Sequence, residues 1–381
     1  MVKKQSAKKS QPSKPRPAPS KPAASPNPRI NISFQSQQDL LDIFSSAFAT
    51  VLSSGDFPNV LQEIKQALFN RDFAAAFGRE DYLRAYAARW SPTRAICYAS
   101  VFQGIRDHLI ELEASPGDEV VVADSDHAEP ATAADEKKPL APTGGSSATA
   151  SRTGAQSNRT FRMLSIGGCA AEHAAFAQYL REAPQLSGRL TLIDSAPWSG
   201  VVSLLQDQLT TPPQISTFAS EVARATNSAF VKPSQLSVDF KQQDILDLDL
   251  ESLKQTIGKD PLVVTILFTL NELYTNGGLG KTTKFLGNLG QSLPNGSLLL
   301  VVDSPGSYSE ATVGKEKKRY PMQWLLDHTL LSNKVNGIKW EKLESDESVW
   351  CRLSDELSYP MQLENMRYQV HLYRLEVQPP V

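Results

Sequence analysis

Apolar residues are distributed along the chain in two regimes. Between about residues 36 and 112 they recur every three or four positions, the spacing of helices buried on one face. Leu40, Phe44, Ala47, Phe48 and Val51 form one such stripe behind Ser36, read as its N-cap, and Gly55 with Pro58 breaks it. Val60, Leu61, Ile64, Ala67 and Leu68 form a second. A third runs from Asp81 to Arg89 and resumes from Arg94 to Ile110, because Pro92 behind Ser91 restarts a helix at its first turn. From Arg162 onward the pattern changes to short continuous apolar runs separated by helical stretches: Met163 to Ile166, Leu190 to Ile193, Leu236 to Phe240, Leu262 to Phe268 and Leu298 to Val302. Buried strands alternating with helices predict an α/β domain with a mainly parallel sheet. Two further runs, Val349 to Leu353 and Tyr368 to Val377, have no long helix between them. They read as an antiparallel pair at the edge of that sheet.

Two stretches belong to neither regime. Residues 1 to 29 hold eight Lys or Arg, seven Pro and no acid, so the net charge of -2 conceals about -2 - 8 = -10 on the remainder. Such a tail buries too little apolar surface to offset its ordering entropy and is expected to be disordered. It reads as a solubilising tail, a nuclear import signal or an arm that tethers RNA. From Glu113 to Asn158 the chain carries eight acids by Glu136 and then Ala, Thr, Gly, Ser and Pro. This is expected to be a disordered insertion kept away from any phosphate backbone. The organisation is therefore a basic tail over 1–35, a helical segment over 36–112, an acidic insertion over 113–160 and an α/β domain over 161–381. The three cysteines and five histidines show no CxxC or HxxxH spacing. That argues against a disulfide scaffold and against a zinc site, so no metal is expected, and it suits a reducing compartment. No apolar run approaches the eighteen residues of a membrane span and no apolar segment follows the basic start, so neither a membrane role nor a secretory signal is expected.

The first strand leads into Ser165-Ile166-Gly167-Gly168-Cys169-Ala170-Ala171-Glu172, a turn of small residues opening a helix. Such a turn lets the backbone approach a ligand and aims a helix N-terminus at it. Asp194, followed by Ser195, ends the second strand twenty-seven residues after Gly167, where an acid bonds ribose hydroxyls in nucleotide-binding folds. Asp244 and Ile245 follow the third strand, where an adenine would be read. The three features together point to a nucleotide-type ligand, the alternative being that Asp194 and Asp244 are only turn or cap residues.

In this order the residues resemble a family. The segments "RMLSIGGCAAEHAAF", "LTLIDSAPW", "QQDIL", "LFTLNELYT" and "LLLVVDSPGSYS", with "AYAARWSPTRAICY" upstream, are similar to the fungal large-subunit rRNA uracil-N3 methyltransferases, which use S-adenosylmethionine on a Rossmann-like seven-stranded sheet. The likeness covers most of residues 36–112 and 161–378. It implies that Gly167, Gly168 and Cys169 line the methionine end of the cofactor, Asp194 and Ser195 the ribose, Asp244 and Ile245 the adenine, and Thr269 to Glu272 the floor beneath the methyl group. The chain departs from the family in its glycine-rich turn: Cys169 and Ala171 stand at two glycine positions, and Ser165 replaces the acid that usually precedes the turn. A Cβ at Cys169 narrows the approach to the methionine moiety.

A neutral uracil imide has no free lone pair at N3, so its proton must be removed as the methyl arrives. Glu272 is the nearest carboxylate in sequence, and it is assigned that proton, with Asn271 orienting the uracil edge; contact of both with cofactor or backbone is the other reading. An ordinary Glu is too acidic for the role, so burial is required. Uracil N3 lies on the pairing edge, and the nucleotide must be unpaired or flipped into an aromatic roof. Tyr82, Trp90, Arg94 and Tyr98 are the candidates, core packing being their alternative. Lys315, Lys317, Lys318 and Arg319 form a basic loop that suits RNA or simply solvent. The implied partner is large-subunit rRNA or a pre-ribosomal particle, and the implied address is the nucleolus, with the cytoplasm as the alternative. Three other functions compete: a methyltransferase of protein or small molecules, a fold that has lost turnover and serves as an RNA-docking assembly factor, and an ATPase. The ATPase rests on Thr275 to Thr283, which resembles a P-loop but lacks its first glycine and follows a strand interrupted by Asn271 and Glu272.

Overall fold

The computed structural model describes residues 30–113, 159–306, 308–313, 316–332 and 337–377. The basic tail over 1–29, the acidic stretch over 114–158 and Lys315 lie outside these described residues. The chain opens with seven helices: α1 (Phe34–Ala47), α2 (Ala49–Leu52), α3 (Phe57–Phe69), α4 (Phe73–Phe77), α5 (Glu80–Arg89), α6 (Ser91–Gly104) and α7 (Arg106–Glu113). The N-cap of α1 is Ser33 rather than Ser36: the Ser33 hydroxyl accepts the Ser36 backbone N–H at 3.0 Å, and Ser36 is the third residue of the helix. The expected restart after Trp90 is present, with Pro92 in the first turn of α6. The long stretch to Ile110 is broken at Ile105, which caps α6. At five residues α4 is too short to show a stripe.

The remaining elements alternate. They are β1 (Arg159–Ile166), α8 (Ala171–Glu182), β2 (Leu186–Asp194), α9 (Ser199–Thr210), α10 (Glu221–Thr226), β3 (Leu236–Gln242), α11 (Leu250–Ile257), β4 (Val263–Leu267), α12 (Leu270–Asn276), α13 (Gly278–Ser292) and β5 (Leu298–Asp303). A hairpin of β6 (Tyr308–Val313) and β7 (Glu316–Pro321) follows, then α14 (Met322–Leu331), β8 (Ile338–Cys351) and β9 (Met366–Val377). Seven strands form one sheet in the order β3-β2-β1-β4-β5-β9-β8. The first five are parallel and β9 enters antiparallel against β5. Every residue of β4 and β5 is buried, as expected of central parallel strands covered on both faces. Strand order reverses at β1, whose neighbours are β2 and β4. The crevice beyond the carboxyl ends of these strands is where open α/β sheets bind ligands.

Each sheet face has its own apolar cluster. One includes Leu164, Ile166, Val264, Leu299 and Val301 with residues of α11, α13 and α14. The other joins Met163, Leu190 and Leu300 to α8 and α9 and also to Leu40, Phe44, Leu83, Ile96 and Phe102 of the opening helices. The helical segment therefore shares its core with the sheet domain, and α6 packs along α8.

Three further sequence expectations change. Cys97 of α6 and Cys351 of β8 are joined by a disulfide, so the reading against disulfides fails for this pair. Its half-cystines stand 254 residues apart and are brought together by tertiary packing, which spacing motifs do not report. β8 begins at Ile338 instead of Val349, because most of this edge strand is exposed polar sequence and supplies no apolar run. Lys317, Lys318 and Arg319 lie on β7, a strand, and not in a loop. The P-loop-like segment is a helix junction: Gly277 caps α12, and the buried Thr282 inside α13 donates its hydroxyl hydrogen to the Leu273 carbonyl at 2.9 Å. A phosphate loop needs a strand entering a glycine turn, and here a helix enters it.

Candidate functional site

A cavity of about 510 Å³ opens at the carboxyl ends of β1, β2, β3 and β4, within the size range of small-molecule sites. Its floor is the turn after β1. Gly167 (φ +74°) and Gly168 (φ +69°) both occupy the left-handed region that favours glycine. Space demands glycine as well: a Cβ at Gly167 would stand 2.2 Å from the Thr269 side chain, and one at Gly168 would stand 2.8 Å from Glu172 Oε1. Cys169 follows, fully buried with a free thiol whose pKa burial raises well above its ordinary value. It is one of the residues lining the cavity.

Asp194 ends β2 and faces the turn. One carboxylate oxygen accepts the Gly168 N–H and the other the Ala196 N–H, each at 2.8 Å. Burial raises its pKa and these bonds oppose the rise. Ser195, Asp244, Ile245 and Thr269 also line the cavity. Asp244 accepts the Leu246 N–H at 2.9 Å, so it caps the short turn Ile245–Asp247 and faces the cavity at once. All eight residues assigned from sequence to a cofactor thus meet in one place.

The assigned reaction pair separates. Glu272, in the first turn of α12, lines the cavity, and burial pushes its carboxyl up to about 8, with Arg94 opposing and Asp194 and Asp303 adding to the rise. Asn271 does not wall the cavity; its backbone N–H donates to Asp303 at 3.2 Å. The roof separates too. Arg94 lines the cavity and is hydrogen-bonded to the Tyr86 hydroxyl, with its guanidinium 4.9 Å from the Phe268 ring centre. Burial works against that charge, but Tyr86, Tyr98 and Glu172 keep its pKa above the ordinary arginine value. Tyr82 instead donates to Glu63, Trp90 stacks on Tyr86 behind the wall, and Tyr98 is buried beside Phe268. These three support the wall without forming it.

Sequence reasoning missed Phe73, Phe77, Trp198, Glu172 and Phe268 as cavity residues. Phe77 meets Tyr86 edge-on at 5.1 Å and lies 6.3 Å from Trp198, an aromatic rim assembled from three separate elements. Phe268 is a non-glycine residue at φ +59°, held by its N–H to the Val302 carbonyl at 2.7 Å. Backbone strain of this kind concentrates at functional sites. No pattern in the sequence marks it.

Five parallel strands closed by an antiparallel pair, with a glycine turn and an acid-tipped second strand at the crevice, define the class of Rossmann-like methyltransferases. The chain belongs to the family of SAM-dependent methyltransferases, whose model matches residues 44–374. It is 29% identical over 355 residues to the 25S rRNA (uridine(2843)-N(3))-methyltransferase of Saccharomyces cerevisiae, covering 88% of this chain and 85% of the relative. Among solved structures, the N-methyltransferase NodS from Bradyrhizobium japonicum in complex with S-adenosyl-L-homocysteine is 14% identical, with 56% of this chain and 77% of that one covered and a TM-score of 0.29. The 16S rRNA (adenine(1408)-N(1))-methyltransferase from Catenulisporales acidiphilia is 13% identical, with 59% and 91% covered and a TM-score of 0.34. S-adenosylmethionine fits the site on its own terms, since a cavity of about 510 Å³ joins the glycine turn to the carboxylates of Asp194 and Asp244.

Proposed function

We propose that this chain transfers a methyl group from S-adenosylmethionine to N3 of a uridine in large-subunit rRNA, in the nucleolus, on free rRNA or a pre-ribosomal particle. The observation that carries the reading is that a buried carboxyl, Glu272, and a guanidinium, Arg94, both line one cavity beside the glycine turn. The likeness to the yeast uridine-N3 enzyme and the basic tail support it. In this reading the backbone at Gly167, Gly168 and Cys169 receives the methionine end, Asp194 and Ser195 the ribose, Asp244 and Ile245 the adenine, and Thr269 lies beneath the methyl group. The cofactor supplies an already activated methyl on a sulfonium.

The protein must then align the acceptor and take its proton. A flipped uracil enters past Phe77, Tyr86 and Trp198, whose rings exclude water and stack with the base. Glu272, ionised, removes the N3 proton, and its raised pKa makes it a stronger base than an exposed carboxylate. Arg94 stabilises the negative charge that spreads onto the uracil carbonyl oxygens. Asn271 is left a supporting role through Asp303.

The test is single-turnover methylation of a uridine-containing rRNA fragment, with the product nucleoside identified after digestion. Glu272→Gln is expected to lower the rate by roughly 100-fold or more while S-adenosylmethionine still binds. Full activity in that variant would remove the base assignment, and methylation at a different atom or on a non-RNA acceptor would remove the substrate assignment.

A further inference from the structure

Four carboxyl groups wall the cavity: Glu172, Asp194, Asp244 and Glu272. Asp194 holds two backbone N–H groups, Asp244 caps a turn and Glu272 faces the acceptor side. Glu172 has no such occupation. It lies in the first turn of α8 and is 3% exposed, and the hydrogen bond it receives comes from its own backbone N–H. Among the described residues no cation lies within ion-pair distance of it, Arg94 acting on it only through space. Its carboxylate folds back over the glycine turn, so close to Gly168 that a Cβ there would meet Oε1 at 2.8 Å. Burial raises this carboxyl to about 7, so its ionised form would gain from a cation beside it.

The other end of the comparison is Ser165. It is fully buried at the end of β1, two residues before Gly167, and its hydroxyl has no hydrogen-bond partner. The methionine end of S-adenosylmethionine carries an α-ammonium, and burying it requires a paired acceptor.

We propose that Glu172, reaching back from α8 over Gly168, is the acceptor of the cofactor's α-ammonium. The assignment concerns the cofactor alone and is independent of which base receives the methyl group. It also accounts for glycine at position 168 twice over: the left-handed backbone and the carboxylate lying on it each exclude a side chain.

Calorimetric titration of two ligands separates the outcomes. S-adenosylhomocysteine keeps the amino-acid tail, and 5′-methylthioadenosine shares its adenosine and thioether but lacks that tail. Glu172→Gln, nearly isosteric, is expected to weaken S-adenosylhomocysteine by about tenfold or more, the range of a lost charge-assisted hydrogen bond, and to leave 5′-methylthioadenosine unchanged. Equal weakening of both ligands would mean that Glu172 merely shapes the turn, and no weakening of either would also overturn the assignment. If Glu172→Gln does not fold, Glu172→Asp, which keeps the charge one methylene short, is expected to show the same split between the ligands. Absence of uridine methylation by the wild-type protein, with this split intact in the variant, would count against the uridine reading and not against Glu172.

Discussion

A carboxyl held near pH 8 makes stability and turnover respond to pH in opposite directions. Glu272 is ordinarily half-protonated near 4.5 and here near 8, so between those values the folded chain keeps a proton that the unfolded chain has released. Stability supplied by the neutral form is therefore lost as pH rises through that window. Turnover needs the ionised form, so the single-turnover rate is expected to climb with a midpoint near pH 8. Glu272→Gln should abolish the climb and flatten the fall in melting temperature over the same range; a wild-type rate level from pH 6 to 9 would exclude Glu272 as the base. Gly167 makes the second prediction at this scale. Alanine there meets Thr269 and adopts a strained φ, so Gly167→Ala is expected to cost about 1–3 kcal/mol and to abolish measurable cofactor binding, read by thermal melts with and without S-adenosylhomocysteine. Asp194 was legible in the sequence because the end of the second strand is a fixed address in this topology. Glu172 was not, since an acid in the first turn of a helix is also what the helix dipole favours with no ligand at all. Phe268 was invisible because its left-handed backbone is imposed by the Val302 carbonyl, a partner thirty-four positions away.

Among elements, legibility followed burial. The central strands β4 and β5 appeared as continuous apolar runs because both their faces are covered, whereas most of β8 was missed because its outer positions are polar and exposed. The helical segment was legible as helices but not as part of the sheet's core. Only the structure places Leu83, Ile96 and Phe102 in one cluster with α8. The disulfide between Cys97 and Cys351 ties this helical layer to the antiparallel edge, where Arg89 also pairs with Glu364 and the Tyr359 hydroxyl donates to the Ala88 carbonyl at 2.6 Å. Closing so long a loop limits the unfolded chain, with an upper value of about 5 kcal/mol. Reductant, or Cys97→Ser with Cys351→Ser, is expected to lower the melting temperature without changing the affinity for S-adenosylhomocysteine, because neither cysteine walls the cavity. An unchanged melting temperature would show that the noncovalent contacts alone hold the edge.

For the whole molecule, charge is the property that sequence stated most plainly, since the first 29 residues carry +8 and the rest -10. An RNA substrate would meet repulsion from most of the chain and attraction from its first residues. Removal of residues 1–29 is expected to weaken binding of an rRNA fragment and to make the dependence of log K on log salt shallower, each lost phosphate contact changing the slope by about 0.7 on a single strand. A slope unaffected by the deletion would assign RNA contact to the folded part. The sheet's strand order has a consequence of another kind, for synthesis. Among the described residues β9 is the last strand, yet it lies between β5 and β8 and is the only one paired with β8. A nascent chain therefore leaves the ribosome tunnel with its cofactor-side strands already made but its edge unpaired, and the sheet closes only when residues 366–377 slide into the gap. Translation arrested before that point would yield a chain with an open strand edge on β5, the kind of surface that chaperones hold and that neighbouring nascent chains can join.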